Sequence, residues 1–242
     1  MTWYGYREYV PVAKKKADAR KKLEKLQKNN PDMSPVRIEG RKIAKTLWGM
    51  SWCKNLESYA DYRNRIGRGS AYVKNGYVLD LKIEQGAIGG KVMGSHLYDI
   101  SIQIDKLDDR NKEQLTSAVG RKIDNVEDLL SGNFPKEFGE MFLTQKKGLF
   151  PSPKEIRLEC SRPDWADMCK HVAAVLYGVG TRLDTDPLLF FKLRGIDVSE
   201  FIKKSIDEKL QNMMKNAGLV TKRVIKDDDI ADIFQLNSLE EI

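Results

Sequence analysis

Alternation of apolar and polar residues between positions 78 and 104 limits the fold of this chain more than any other feature. Residues 78–83 alternate, and Ile100, Ile102 and Ile104 repeat the pattern further along. A period of two is typical of strands with one buried face. Asn75-Gly76 is a strong hairpin sequence, and a second turn is expected at Gln85-Gly86. We therefore predict an antiparallel meander of three or four strands, over residues 71–74, 78–83, 87–93 and 98–104.

Helical spacing of apolar residues flanks this meander on both sides. The pattern predicts helices over residues 13–28, 51–66, 115–130, 164–177 and 198–216. Gly67 and Gly69 are expected to end the second of these helices. In the last one, Ile206, Leu210 and Met213 are expected to face inward. The predicted fold class is α+β, an antiparallel β-meander flanked by helices.

Composition and element order divide the chain into four segments. Residues 1–35 are predicted to form a basic helical arm that buries little on its own and ends in a connector with Pro31 and Pro35. Residues 36–145 hold a helix, the meander and further helices. Residues 146–195 are expected to form a short strand, a turn and a helix. Residues 196–242 form a C-terminal helix and an acidic tail.

Several classes of protein are disfavoured by the composition. The sequence contains no run of about 18 apolar residues, so it predicts no membrane span. Its first residues also lack the pattern of a secretory signal. Three scattered cysteines predict no disulfide framework. Two histidines are too few for a histidine-rich metal centre. We therefore expect a cytoplasmic protein without membrane partners.

Positive charge is concentrated near the N-terminus. Residues 1–30 carry nine basic and three acidic side chains, and residues 31–75 carry nine and four, although the whole chain has a net charge of only +7. This asymmetry is typical of a chain that meets a polyanion, but a solvated helix face gives the same pattern. The candidate residues for binding DNA or RNA are Lys14, Lys15, Lys16, Lys21, Lys22, Arg63, Arg65 and Arg68.

Two cysteines and a histidine fall close together in the segment 155–177. Cys160 ends a predicted strand, and Cys169 and His171 begin the apolar part of a helix. Thiolates and imidazole are the ligands that zinc prefers, although a tetrahedral site takes four of them. The same residues could instead be small buried cysteines and a core histidine. Spacing alone leaves both interpretations open.

The amino-acid sequence of this segment resembles the SWIM zinc finger family. Cys160-Ser161-Arg162-Pro163-Asp164-Trp165-Ala166 is followed by Cys169-Lys170-His171 and by Ala173-Ala174-Val175-Leu176-Tyr177. Similar proteins read Cys-Ser-Cys-Pro-Asp-Trp-Ala before a Cys-Lys-His, and the similarity extends over about residues 45–195. The resemblance implies a SWIM-type strand-turn-helix module at residues 146–195, with zinc held by Cys160, Cys169 and His171.

Arg162 departs from the family pattern, because it stands at the position of the second cysteine ligand. A guanidinium does not lose its proton and does not bind zinc. Zinc could be held by the three remaining ligands with water or Asp164 as the fourth, Cys53 could complete the set, or the finger could be metal-free and held by packing. These alternatives are open at the level of sequence.

No catalytic motif accompanies these residues. Cys169 and His171 are two residues apart and should point in different directions on a helix, which disfavours a nucleophile and its base. The resemblance implies a non-enzymatic adaptor that binds nucleic acid, a protein, or both, working with a Swi/Snf-type helicase. The alternatives are a purely structural protein–protein adaptor with a metal-free finger and, less favoured, an enzyme of unknown class.

Overall fold

The computed structural model describes residues 10–59, 63–122, 148–162 and 168–197, with residue 131 and isolated positions between 199 and 215. Its helices are α1 (Val12–Asn29), α2 (Leu47–Glu57), α3 (Arg63–Lys74), α4 (Asp109–Lys122), α5 (Lys170–Thr185) and α6 (Leu188–Leu193). Its strands are β1 (Val78–Glu84), β2 (Ala87–Met93), β3 (Leu97–Ile104) and β4 (Ile156–Cys160). A short 3₁₀ turn, Pro153–Glu155, leads into β4.

The strands form a four-stranded antiparallel sheet in the order β1-β2-β3-β4. Gly86, with a φ of 70°, makes the turn between β1 and β2. The apolar residues predicted for β3 lie on the covered face, since Ile100, Ile102 and Ile104 are all buried. The α+β fold class and the antiparallel sheet flanked by helices are thus confirmed.

Helix α5 is the centre of the molecule. Residues 171–180 are buried on every side of the helix, as expected of a helix that is apolar all round. One side packs on the sheet, where the Val175 methyls lie against Gly90. The other side packs on α2 and α3, and the indole Nε1 of Trp52 donates a 2.7 Å hydrogen bond to the Leu176 carbonyl. The α5 helix therefore fixes both layers relative to each other.

The first predicted strand, residues 71–74, is wrong, because these residues form the last turn of α3. Asn75 and Gly76 end that helix instead of turning a hairpin, with Gly76 at a φ of 72°. A glycine with positive φ is favoured at a helix C-terminus as well as in a tight hairpin, so the dipeptide fits both structures.

Two helix boundaries also differ from the prediction. The predicted helix over 51–66 is divided between α2 and α3, and both Gly67 and Gly69 lie inside α3. Gly69 is there because a Cβ at this position would collide with the Cβ of Ala173 in α5. The helix predicted from residue 164 begins at Lys170, and residues 163–167 lie outside the described part of the chain.

The described part of the N-terminal arm, residues 10–35, is docked on the body, although α1 itself buries only Ala19. Ala19 is only 2% exposed, and Leu23 and Leu26 pack against the core. The connector after α1 runs along the outer edge of β1, where the Leu81 amide donates to the Ser34 carbonyl at 3.0 Å. Backbone pairing and an apolar helix face therefore order a segment that its composition describes as polar.

The described parts of residues 36–145 and 146–195 share one sheet and one core, because β4 pairs with β3. In the C-terminal segment, Ile206, Leu210 and Met213 are more than half exposed, so the inward-facing prediction for them is wrong. The described core ends at Ile196, before this helix begins. The acidic tail lies outside the described residues.

Candidate metal centre

Cys160 stands at the last position of β4, where its Cα pairs with that of Ile100 in β3. The backbone amide of Arg162 donates a hydrogen bond to the Cys160 sulfur, at 3.5 Å. A backbone N–H aimed at sulfur favours the thiolate and orients it as a ligand. Arg162 therefore orients the Cys160 sulfur through its backbone N–H, and this hydrogen bond does not involve the arginine side chain.

Cys169 and His171 meet at the N-terminus of α5. Cys169 is the N-cap residue with extended backbone angles, φ −92° and ψ 167°, and His171 is the second residue of the helix. Their side chains therefore converge, and the expectation that they diverge on one helix is wrong.

The three side chains present one ligand atom each to a common point. His171 Nδ1 lies 3.7 Å from the Cys169 sulfur and 3.9 Å from the Cys160 sulfur, and all three atoms are within 4.8 Å of one another. Tetrahedral zinc spaces a sulfur and a nitrogen ligand about 3.6 Å apart and two sulfurs about 3.8 Å apart. Cys160, Cys169 and His171 are therefore close enough to hold a metal ion, and their chemistry is compatible with zinc.

The imidazole is held in its orientation by aromatic rings. Tyr98 of β3 stacks on His171 with ring centres 4.3 Å apart, and Tyr72 of α3 contacts it edge-on at 5.5 Å. On the far side, a Cβ at Gly94 would lie 2.8 Å from His171 Nε2. These contacts direct Nδ1 toward the sulfurs. The sequence motif gives no sign of these contacts, because residues 72, 94 and 98 precede it by more than 60 positions.

Burial raises the pKa of the Cys160 thiol to about 11, and the nearby Cys169 thiol acts in the same direction. The Arg162 backbone N–H opposes this effect without overcoming it. Cys160 is therefore a thiol at neutral pH unless a cation takes the place of its proton. A divalent metal supplies such a cation and releases protons when it binds.

Cys53, one of the candidates for a fourth ligand, lies away from the cluster. Cys53 lies in α2 against Gly180 of α5, where an added Cβ would come within 2.6 Å of its sulfur. Gly180 is nine residues from His171, or about 13 Å along a helix. Cys53 therefore lies outside the cluster, and burial raises the pKa of its thiol to about 12. Asp164 is outside the described residues.

The predicted nucleic-acid residues are spread over two helices. Lys14, Lys15, Lys16 and Lys21 are exposed on α1, Lys22 is half-buried there, Arg65 and Arg68 are exposed on α3, and the side chain of Arg63 is outside the described residues. Their role in binding stays a prediction.

Comparisons with known proteins give one relative and no family assignment. The uncharacterized protein Rv2102 of Mycobacterium tuberculosis (strain ATCC 25618 / H37Rv) is 31% identical to this chain over 156 residues. The match covers 63% of this chain and 56% of the relative, so it spans little more than half of that protein. No protein-family model matches the chain. No solved structure matches it either.

A membrane span is not found among the described helices. None of them combines the length and the hydrophobicity needed to cross a bilayer.

Proposed function

We propose that this chain is a SWIM-type zinc protein without enzymatic activity. It serves as an adaptor that binds nucleic acid, a protein partner, or both, and a Swi/Snf-type helicase is the partner that the family resemblance suggests. The observation that carries the proposal is the convergence of Cys160, Cys169 and His171 on one point. Thiolate and imidazole are the ligand types of structural zinc sites, which take four ligands, so a fourth ligand has to complete this set.

The cluster's place in the fold suggests what zinc does there. Cys160 ends the edge strand β4, whereas Cys169 and His171 begin the central helix α5. A metal bound to all three ties the strand to the helix across the loop that separates them. In this role zinc is a structural link between strand and helix, and a fourth ligand closes its tetrahedral site.

Metal analysis tests the zinc part of this proposal. The 242-residue chain, purified without added chelator, should contain close to one zinc per chain. Cys169→Ala should lose that zinc, whereas Cys53→Ala, the matched cysteine outside the cluster, should retain it. A metal-free wild type, or equal zinc in all three proteins, contradicts the proposal.

The partner part needs separate measurements. Gel-shift titrations at several salt concentrations test nucleic acid, because phosphate contacts give a steep salt dependence. Affinity purification of the tagged chain tests for a Swi/Snf-type ATPase, with the Cys169→Ala protein as the comparison. Absence of both partners contradicts the adaptor role, whatever the zinc content.

A second candidate is a purely structural protein–protein adaptor with a metal-free finger. The packing around His171 favours it, since Tyr98 and Tyr72 hold the ring by contacts that require no ion. Arg162 at the position of a family ligand points the same way. Metal-free protein that retains its protein partner would decide for this candidate.

A further inference from the structure

A groove lies between α1 and the start of β1, on the side of the molecule formed by the docked arm. Its volume is about 380 Å³, within the range of pockets that bind small ligands or parts of larger ones. Its apolar lining residues are Leu23, Pro35, Val36 and Leu79, and the turn residues Asn75 and Gly76 close one end. Val36 and Leu79 are buried core residues, so the floor is fixed.

Three cationic side chains line this groove. Lys16 and Arg20 come from α1, and Arg37 comes from the connector that runs along β1. None of the described residues that line the groove is acidic. Arg20 approaches Glu24 at 3.4 Å, but this pair is on the surface, and such pairs contribute little. The groove therefore combines an apolar floor with a positively charged rim.

The fold holds these cations in place. Lys16, Arg20 and Leu23 are spaced by four and three residues, so they lie on one face of α1. Arg37 follows Val36, whose amide donates to the Val78 carbonyl at 3.1 Å. Docking of α1 through Ala19 thus brings two charges of the helix toward one charge of the connector. No pattern in the sequence distinguishes Arg20 and Arg37 from the other basic residues, because only the folded arm places them beside Lys16.

The other lysines of α1 form a natural contrast. Lys14, Lys21 and Lys25 are spaced by seven and four residues, which places them together on the face of the helix away from the groove. All three are exposed. They carry the same total charge as the three groove cations, but they are not among the residues that line the groove.

We propose that this groove binds the phosphodiester backbone of a nucleic acid. The inference rests on the proposed function and identifies where on the chain the phosphates are held. Arg20 and Arg37 can each bind phosphate oxygens through two parallel N–H groups, and Lys16 adds a point charge. The basic first third of the chain extends the positive potential beyond the groove, which favours a polyanion over a single small phosphate ester.

The test compares two triple variants that each remove three positive charges. The groove variant carries Lys16→Gln, Arg20→Gln and Arg37→Gln, and the outer-face variant carries Lys14→Gln, Lys21→Gln and Lys25→Gln. Fluorescence anisotropy measures their affinities for a labelled oligonucleotide, as single strand and duplex, in DNA and RNA, at several salt concentrations. Thermal unfolding confirms that both variants are folded.

The groove variant should lose about tenfold or more in affinity, and its log–log salt slope should fall by about 0.9 for each phosphate contact removed. The outer-face variant should lose less than about threefold, since it removes only long-range attraction. Equal losses in both variants would overturn the groove site and leave the proposed function standing. A wild type that binds none of the oligonucleotides overturns both the groove site and the nucleic-acid part of the function.

Single substitutions keep the proposal testable if a triple variant does not fold. Arg37 is exposed and lies outside any helix, so Arg37→Gln should leave the fold intact and still reduce the affinity and the salt slope. Lys25→Gln is its matched control. An Arg37→Gln protein with unchanged slope and affinity contradicts the proposal.

Discussion

The two ends of helix α5 are fastened to the rest of the molecule by different chemistry. At the C-terminal end, the Asp184 carboxylate accepts hydrogen bonds from the Lys45 amide at 2.6 Å, the Thr46 amide at 3.0 Å and the Thr46 hydroxyl at 2.7 Å. At the N-terminal end, Cys169 and His171 face the sulfur of Cys160. We call these the carboxylate end and the metal end.

At the carboxylate end, backbone N–H groups and a hydroxyl donate hydrogen bonds to the Asp184 carboxylate. At the metal end, the three side chains bond only weakly to one another. A thiol is a poor hydrogen-bond donor and acceptor, but its thiolate is a strong metal ligand. The attachment of α5 at Asp184 should therefore be the same under all metal conditions. The attachment at Cys160 should strengthen when zinc binds, and this difference can be measured.

Chelation of zinc should have the largest effect. A full structural site contributes of order 10 kcal/mol, so a site with one protein ligand fewer should still contribute about 3 kcal/mol or more. For a protein of this size that corresponds to a fall in Tm of about 6–12 °C. Differential scanning fluorimetry of the wild type with and without chelator measures it. A Tm that is independent of chelator would mean that packing alone holds the metal end.

Asp184→Ala should weaken the carboxylate end by about 2 kcal/mol, because hydrogen bonds to a charged group contribute about 1.5–3 kcal/mol and this side chain is only half-buried. Urea denaturation measures the loss. Zinc content should be unchanged, and the chelator should lower the Tm of the variant as much as that of the wild type. Loss of zinc in Asp184→Ala would show that the two ends are coupled through the helix.

Gly69→Ala should destabilise the protein by about 1–3 kcal/mol, as overpacking of a closed contact does. Gly69 lies against Ala173 near the metal end, and a Cβ there collides with it. Gly67→Ala is the matched control in the same helix, since nothing lies within 4 Å of its added Cβ. That variant should be stabilised by up to about 1 kcal/mol, because alanine favours the helix. Thermal unfolding that ranks the two variants in the opposite order contradicts the close approach of α3 to α5.

Much of the fold could be predicted from local pattern, and the errors share a physical cause. Strands β1 to β3 alternate in sequence because one face of each is buried, and α5 is apolar because it lies between two layers. Local pattern predicts Gly69 as a helix terminator, because the contact that requires a glycine there is with Ala173, more than 100 residues away. The docking of α1 also depends on distant partners, so composition alone predicts an arm that buries little on its own.

The candidate site likewise combines ligands that local sequence predicts with contacts that depend on distant residues. The sequence predicts a metal-ligand set of Cys160, Cys169 and His171, because these residues are close in sequence and have the chemistry of zinc ligands. Their convergence depends on the extended N-cap conformation of Cys169, which spacing on an ideal helix does not give. Tyr98 and Gly94, which hold the imidazole, come from β3 and the turn before it. Only the pairing of β3 with β4 brings them to the site.

The smallest effect, and the one that bears most directly on the metal end, is expected from Arg162→Cys. The substitution restores a cysteine at the position where the SWIM pattern has its second ligand, two residues after Cys160. A fourth ligand, which would be the third thiolate, should raise zinc affinity by about tenfold or more, equivalent to about 1.4 kcal/mol of added stability at a fixed free zinc concentration. Competition with a chromophoric chelator measures the affinity, and Arg162→Ala controls for the loss of the arginine itself. If Arg162→Ala gains as much affinity as Arg162→Cys, the gain comes from removing a positive charge beside the metal. If neither variant gains, the loop after β4 does not direct residue 162 toward the cluster, and the fourth position belongs to another ligand.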